Sequence, residues 1–234
     1  MVTLGLPRIT TLLRDLVDGR VEPTAREWLA RVLETAAAER DRGTVLEAFT
    51  AATRRLGKAT RLPSEPERAR LRGAGMTWPL GGWSVDELGR ITLLLAAAAR
   101  WPEAELETLV EECYGQGDGP ERQAVLRALP LLPAAERFLG IGLDAGRSHV
   151  QPLFEAIACE NPYPARHFPE LNFNQMVLKA LFTGVPLERI LDLESRVTPE
   201  LRRMATAYAS ERRAAGRSVP PDIWRLTGER GQEP

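Results

Sequence analysis

The sequence predicts an all-α protein, arranged as a helical-repeat array (HEAT-like or α-solenoid-like) of about ten helices. Two observations predict the class. Apolar residues recur at three- and four-residue spacing in nearly every segment, and no segment sustains the alternation of a strand. A third predicts the array: the helical segments are modest in length and joined by short Gly- and Pro-containing turns, although no fixed sequence period repeats along them.

A first helix is expected over 8–17, stopped by Gly19. A second, over 24–40, sets Trp28, Leu29, Val32 and Leu33 on one face. A third, over 44–56, uses Val45, Leu46, Phe49 and Ala52 and ends at Gly57. Residues 58–83 read as an irregular connector, with Ser64 and Glu67 forming a capping box that starts a short helix. Met76, Trp78 and Trp83 are expected to pin that connector to the body. Ser84 and Glu87 make a second helix start, and the helix after them is apolar nearly all round at Ile91, Leu93, Leu94 and Leu95, which places it at the centre of the stack.

Pro102, with Glu103 and Glu105, opens the next helix, which closes before Gly115. Helices over 121–129 and 133–146 follow, then one over 148–160. Pro162 and Pro164 push Asn161 and Tyr163 towards extended backbone, so that helix is expected to end near Asn161 in a rigid polar connector. Phe173, Met176, Val177, Ala180 and Leu181 then form an apolar stripe, closed by Gly184 and Pro186. Thr198 and Pro199 start a last long helix with Leu201, Met204, Ala205 and Tyr208 on its buried face. The remainder is read as an arm docked by Ile223, Trp224 and Leu226, its last residues mobile. The organisation is thus an N-terminal helical segment (1–57), a connector (58–83), a main array (84–216) and an arm (217–234), expected to form one continuous domain.

The composition, 44% hydrophobic and 27% charged over 234 residues, is that of a soluble globular protein. Its 31 basic and 32 acidic residues leave a net charge of −1, which disfavours nucleic acid as a partner. Two isolated cysteines, Cys113 and Cys159, suggest a reducing compartment. The first residues lack a signal-peptide core, and the longest apolar run, 91–99, is too short to span a bilayer. A cytoplasmic protein without a membrane span is expected.

Most of the chemistry lies in 158–179. His149 and His167 belong to no paired-ligand pattern, so no metal is expected. Cys159, His167 and Asn172 or Asn174 name the parts of a thiol hydrolase, but a Cys beside Ile157 and Ala158 reads first as buried filler. Asn161, Tyr163, Arg166, His167, Asn174, Gln175 and Lys179 are candidate ligand-binding residues. If the connector folds over the helix face carrying Asn172, Gln175 and Lys179, it forms a mildly cationic pocket for an anionic or hydroxylated small molecule. The same amides and phenol read first as caps of helix ends. Phosphate-loop, dinucleotide and nucleophile-elbow patterns are absent, and no cofactor is expected.

The run Cys159-Glu160-Asn161-Pro162-Tyr163-Pro164-Ala165-Arg166-His167-Phe168, continued by Phe173-Asn174-Gln175-Met176-Val177-Leu178-Lys179-Ala180-Leu181-Phe182, resembles the signature of the EboA family of bacterial metabolite-traffic proteins. Gly184-Val185-Pro186-Leu187, Arg196 and Tyr208 to Arg217 extend the likeness, which covers 145–224. In the N-terminal half it rests on helix layout and the Trp83-to-Glu87 start. The resemblance implies a non-enzymatic cytoplasmic helical protein that acts in secondary-metabolite export, as an adaptor or small-molecule carrier. It also implies partners in the same pathway, among them a membrane prenyltransferase of the UbiA type. It supplies no catalytic residues. Two alternatives stand beside it: a metabolite-modifying enzyme using Cys159 and His167, and a structural partner of a membrane-associated pathway enzyme.

Overall fold

A computed structural model of the chain describes residues 5–60 and 62–228, and those residues form helices with no strand among them; Thr60 and Ser84 make an isolated antiparallel bridge. The chain end expected to be mobile, 229–234, lies outside the described residues, as do the first four residues, where the signal-peptide reading begins. The chain divides into two units, between Ile141 and Gly142, inside the stretch expected to form the main array.

Unit 1 contains α1 (Leu6–Asp18), α2 (Pro23–Ala38), α3 (Arg42–Leu56), α4 (Glu65–Gly73), α5 (Val85–Ala98), α6 (Glu103–Gln116) and α7 (Gly119–Ala128). A repeat array asks each helix to touch its sequence neighbours; here α5 packs against α1, α2 and α3 as well as α6 and α7. Every residue from Val85 to Ala97 is buried, the central position that its all-round apolar pattern predicts. Gly89 lets α3 approach closely, because a Cβ there would collide with Leu56 Cδ1. Both expected capping boxes are present: Glu67 accepts the Ser64 N–H at 2.7 Å, and Glu87 accepts the Ser84 N–H at 2.8 Å. Met76, Trp78 and Trp83 are buried, as the reading of the connector requires.

The core around α5 also holds charge. Arg90, 1% exposed, donates from Nε to Phe49 O at 2.9 Å, from one terminal nitrogen to Asp86 at 2.8 Å, and from the other to Thr53 Oγ1 at 3.0 Å. The Thr53 and Ser84 hydroxyls both donate to Asp86, Glu121 lies 3.9 Å from Arg90, and Arg127 pairs with Glu87. Carboxylates this deep persist only because every one of them is paired or hydrogen-bonded.

The helix expected over 133–146 is broken. Leu129–Leu131 and Ala135–Phe138 are 3₁₀ turns, and α8 (Leu139–Arg147) begins only after them. The cause is Ala134, whose φ of 47° lies in the left-handed region and cannot continue a helix from Pro133.

Unit 2 starts within α8 and continues through α9 (Gln151–Ala158), α10 (Tyr163–His167), α11 (Glu170–Thr183), 3₁₀ turns at Leu187–Arg189 and Leu193–Arg196, α12 (Pro199–Ala214) and α13 (Trp224–Thr227). Phe173, Met176, Val177, Ala180 and Leu181 form the buried face of α11, and Gly184 closes it at φ 73°. Thr198 caps α12, accepting the Leu201 N–H at 3.2 Å. The arm docks against α12 through buried Ile223 and Leu226, with Trp224 half-buried.

Candidate functional site

The polar run begins where α9 stops. Cys159 is extended, and Glu160 takes a left-handed φ of 49°. Asn161 then works in both directions: its Nδ2 donates to Ala156 O at 3.0 Å, and its Oδ1 accepts the Tyr163 N–H at 2.9 Å. This side-chain turn corrects the expectation of an extended connector. Tyr163 is the first residue of α10, despite the proline after it. The Asn161 oxygen satisfies its N–H, and Pro164, in the first helical turn, forfeits no intrahelical bond.

Tyr163 is fully buried. Its ring centroid lies 4.6 Å from that of His167 and 6.3 Å from that of Phe168, edge to face with the latter. Gly142 of α8 makes room for both rings, because a Cβ there would meet Tyr163 Cε1 at 2.8 Å and Phe168 Cε1 at 3.0 Å. Three cations then tie the segment down. Arg189 donates to both Glu160 oxygens, at 2.8 and 3.0 Å, and to Glu155 at 2.7 Å, while the Glu160 N–H returns a bond to Arg189 O at 2.8 Å. Arg196 donates to Ala165 O and Phe168 O at the end of α10 and lies 4.5 Å from the Phe173 ring centroid. Lys179 donates to Gly146 O and Ser148 O at the end of α8 and sits 4.4 Å from the Phe154 ring centroid. Burial lowers the pKa of Lys179 from its ordinary value.

The structure therefore divides the seven candidate residues. Asn161, Tyr163 and Asn174 are buried, His167 is half-buried on Tyr163, and Arg166 is exposed. Only Gln175 and Lys179 line the adjoining cavity, together with Gly146, Phe168 and Asn172; it measures about 200 Å³. Small-molecule sites generally occupy about 300–1,000 Å³, so this cleft suits a small polar group rather than a whole metabolite. Asn174 Oδ1 has no hydrogen-bond partner among the described residues.

Burial pushes the Cys159 thiol up to about 12, with Arg189 opposing and Glu160 and Glu155 adding to the rise. Cys113, also buried, is pushed up to about 12 by burial, Glu121 and Glu112 against Arg90. Nucleophilic sulfur chemistry needs the thiolate, which both settings disfavour. No group of three or more His, Cys, Asp or Glu side chains among the described residues is placed to hold a metal ion.

A larger cavity, about 620 Å³, escaped the sequence reading. It lies between the end of α11, the turn after it, α12 and the arm. Phe182, 65% exposed, meets Tyr208 edge to face at 4.6 Å, and the Arg212 guanidinium stands 5.9 Å from the Tyr208 ring centroid. The sequence signals for it are an aromatic, Phe182, outside the buried stripe of α11 and the Pro220-Pro221 pair in the arm.

The family described as "Metabolite traffic protein EboA" matches residues 9–228, nearly the whole chain and well beyond the run that suggested it. No curated protein and no solved structure matches the chain. No helix among the described residues is long and apolar enough to cross a membrane. The chain belongs to the EboA family.

Proposed function

We propose that this EboA-family chain serves metabolite traffic by binding and catalyses no reaction, acting as a small-molecule carrier or as an adaptor between proteins of its pathway. Export of a secondary-metabolite precursor from the cytoplasm, with a membrane prenyltransferase among the partners, is the setting we assign to it. The observation that carries the reading is the state of the family signature. Its thiol is buried with a pKa of about 12, its imidazole packs on Tyr163, and its amide at Asn161 is spent on the backbone. Exposed Arg166 and Gln175, with half-buried Lys179 beside them, are then the working surface, on a scaffold set by Asn161 and Tyr163.

The competing reading, an enzyme using Cys159 and His167, requires a thiolate that this environment opposes. Cys159→Ala and His167→Ala are each expected to leave metabolite export intact; loss of export from folded protein would restore the enzyme. Native mass spectrometry of the protein from its own host, beside an Arg166→Ala/Gln175→Ala variant, separates the two binding roles. A small molecule retained by the wild type identifies a carrier. An empty protein that captures a pathway enzyme, and loses it in the variant, identifies an adaptor.

A further inference from the structure

We propose that the cleft under the C-terminal arm is the cargo site, and that it takes a small molecule with a flat apolar or aromatic body and a single anionic group. The proposal rests on the carrier half of the function above, and it leaves Arg166 and Gln175 to contact a partner.

Size is the first argument. At about 620 Å³ the cleft lies within the usual range for small-molecule sites, whereas the signature cavity lies below it. The lining is the second. Phe182, Pro186 and Pro220 present flat apolar surface, Val185 lies buried in the wall, and Tyr208 closes the slot against Phe182. A phenylalanine left 65% exposed gains its burial energy only when something covers it.

The charges give the third argument. Arg212 is the one cation lining the cleft among the described residues, and it is already oriented: its Nε donates to Ser218 O at 2.6 Å and its Cζ lies 5.9 Å from the Tyr208 ring centroid. Its terminal nitrogens have no acidic partner among the described residues, leaving a preset fork for a carboxylate, sulfonate or phosphate. Two acids also line the cleft. Asp222 accepts the Leu187 N–H at 2.6 Å, and Glu188 is exposed. They repel a second anionic group and direct the single charge of the ligand towards Arg212.

The test uses the full chain and two fluorescent probes with closely similar aromatic bodies: 1-anilinonaphthalene-8-sulfonate, which is anionic, and N-phenyl-1-naphthylamine, which is neutral. The anionic probe is expected to bind saturably at one site. Arg212→Gln should weaken it roughly tenfold while leaving the neutral probe nearly unchanged. Phe182→Ala should weaken both, and Val150→Ser, which alters an exposed apolar residue outside the cleft, should weaken neither. Circular dichroism confirms that each variant is folded. Binding of both probes that ignores Phe182→Ala overturns the site, and anionic-probe binding that ignores Arg212→Gln overturns the ligand class. Either failure leaves the carrier reading to native mass spectrometry, where a cargo retained by wild type and by Phe182→Ala alike would place it elsewhere.

Discussion

Around Arg90 the buried polar groups are full charges, whereas around Asn161 they are amides, a phenol and backbone. The first set joins residues far apart in sequence, such as Thr53 with Arg90 and Glu87 with Arg127. The second is almost local, closing Ala156 to Tyr163 through one side chain. A buried charge is tolerated only while its partners stay, so the Arg90 cluster is an all-or-none arrangement. A capping amide replaces bonds the backbone would otherwise lack, and each of its bonds contributes modestly. The conspicuous motif is thus largely scaffold, and the inconspicuous charges hold the more fragile core.

The sharpest way to break this comparison is Arg90→Met. It strands Asp86 and Glu121 without a cation and is expected to cost about 3–5 kcal/mol, read as a fall in the urea midpoint. Adding Asp86→Leu should recover part of that loss; a double variant as unstable as the sum of the two singles would show that the groups do not act together. Asn161→Ala should cost less, about 1–3 kcal/mol, because it leaves Ala156 O and the Tyr163 N–H unpaired but no buried charge.

Acid should act next, and in unit 1. Burial raises the pKa of Glu67, but the Ser64 N–H, Arg20 and the Ser64 hydroxyl outweigh it and bring the value from 4.5 to about 2. Asp86 is likewise lowered, burial opposing and Ser84, Thr53 and Arg90 prevailing. A carboxylate depressed by folding stabilises the protein fully above its unfolded pKa and ceases to do so as pH falls through the folded one. Stability should therefore drop between about pH 4.5 and 2, following these groups. Tryptophan emission should report it, because Trp28, Trp78, Trp83 and Trp101 all lie in unit 1. Acid-induced change confined to unit 2 would reverse the comparison. The smallest effect is expected at Arg203→Ala, which removes an exposed pair with Glu200 and should leave the urea midpoint unchanged within error.

Local features were legible in the sequence because local physics decides them. The caps at Ser64, Ser84 and Thr198, the all-round apolar character of α5 and the stripe of α11 each follow from spacing and side-chain type. Two expectations failed at single residues: Ala134 takes a left-handed φ that alanine does not favour, and Tyr163 turns helical with its N–H satisfied by the Asn161 side chain. The charged core was illegible because Asp86, Glu87, Arg90 and Glu121 look like an ordinary solvated helix face until their neighbours enclose them. For the candidate site, the sequence located the family signature but not the cleft, whose walls come from α11, α12 and an arm more than thirty residues beyond Phe182.

The two buried cysteines have a practical consequence. Cys113 belongs to unit 1 and Cys159 to unit 2, and in each the sulfur is inaccessible while its surroundings stay closed. The rate at which a thiol reagent modifies each one in the otherwise native chain therefore reports local opening around it. Without any engineered label, the molecule carries one chemical clock per unit, and a cargo that clamps the arm should slow the one at Cys159 and leave the one at Cys113 running at its own pace.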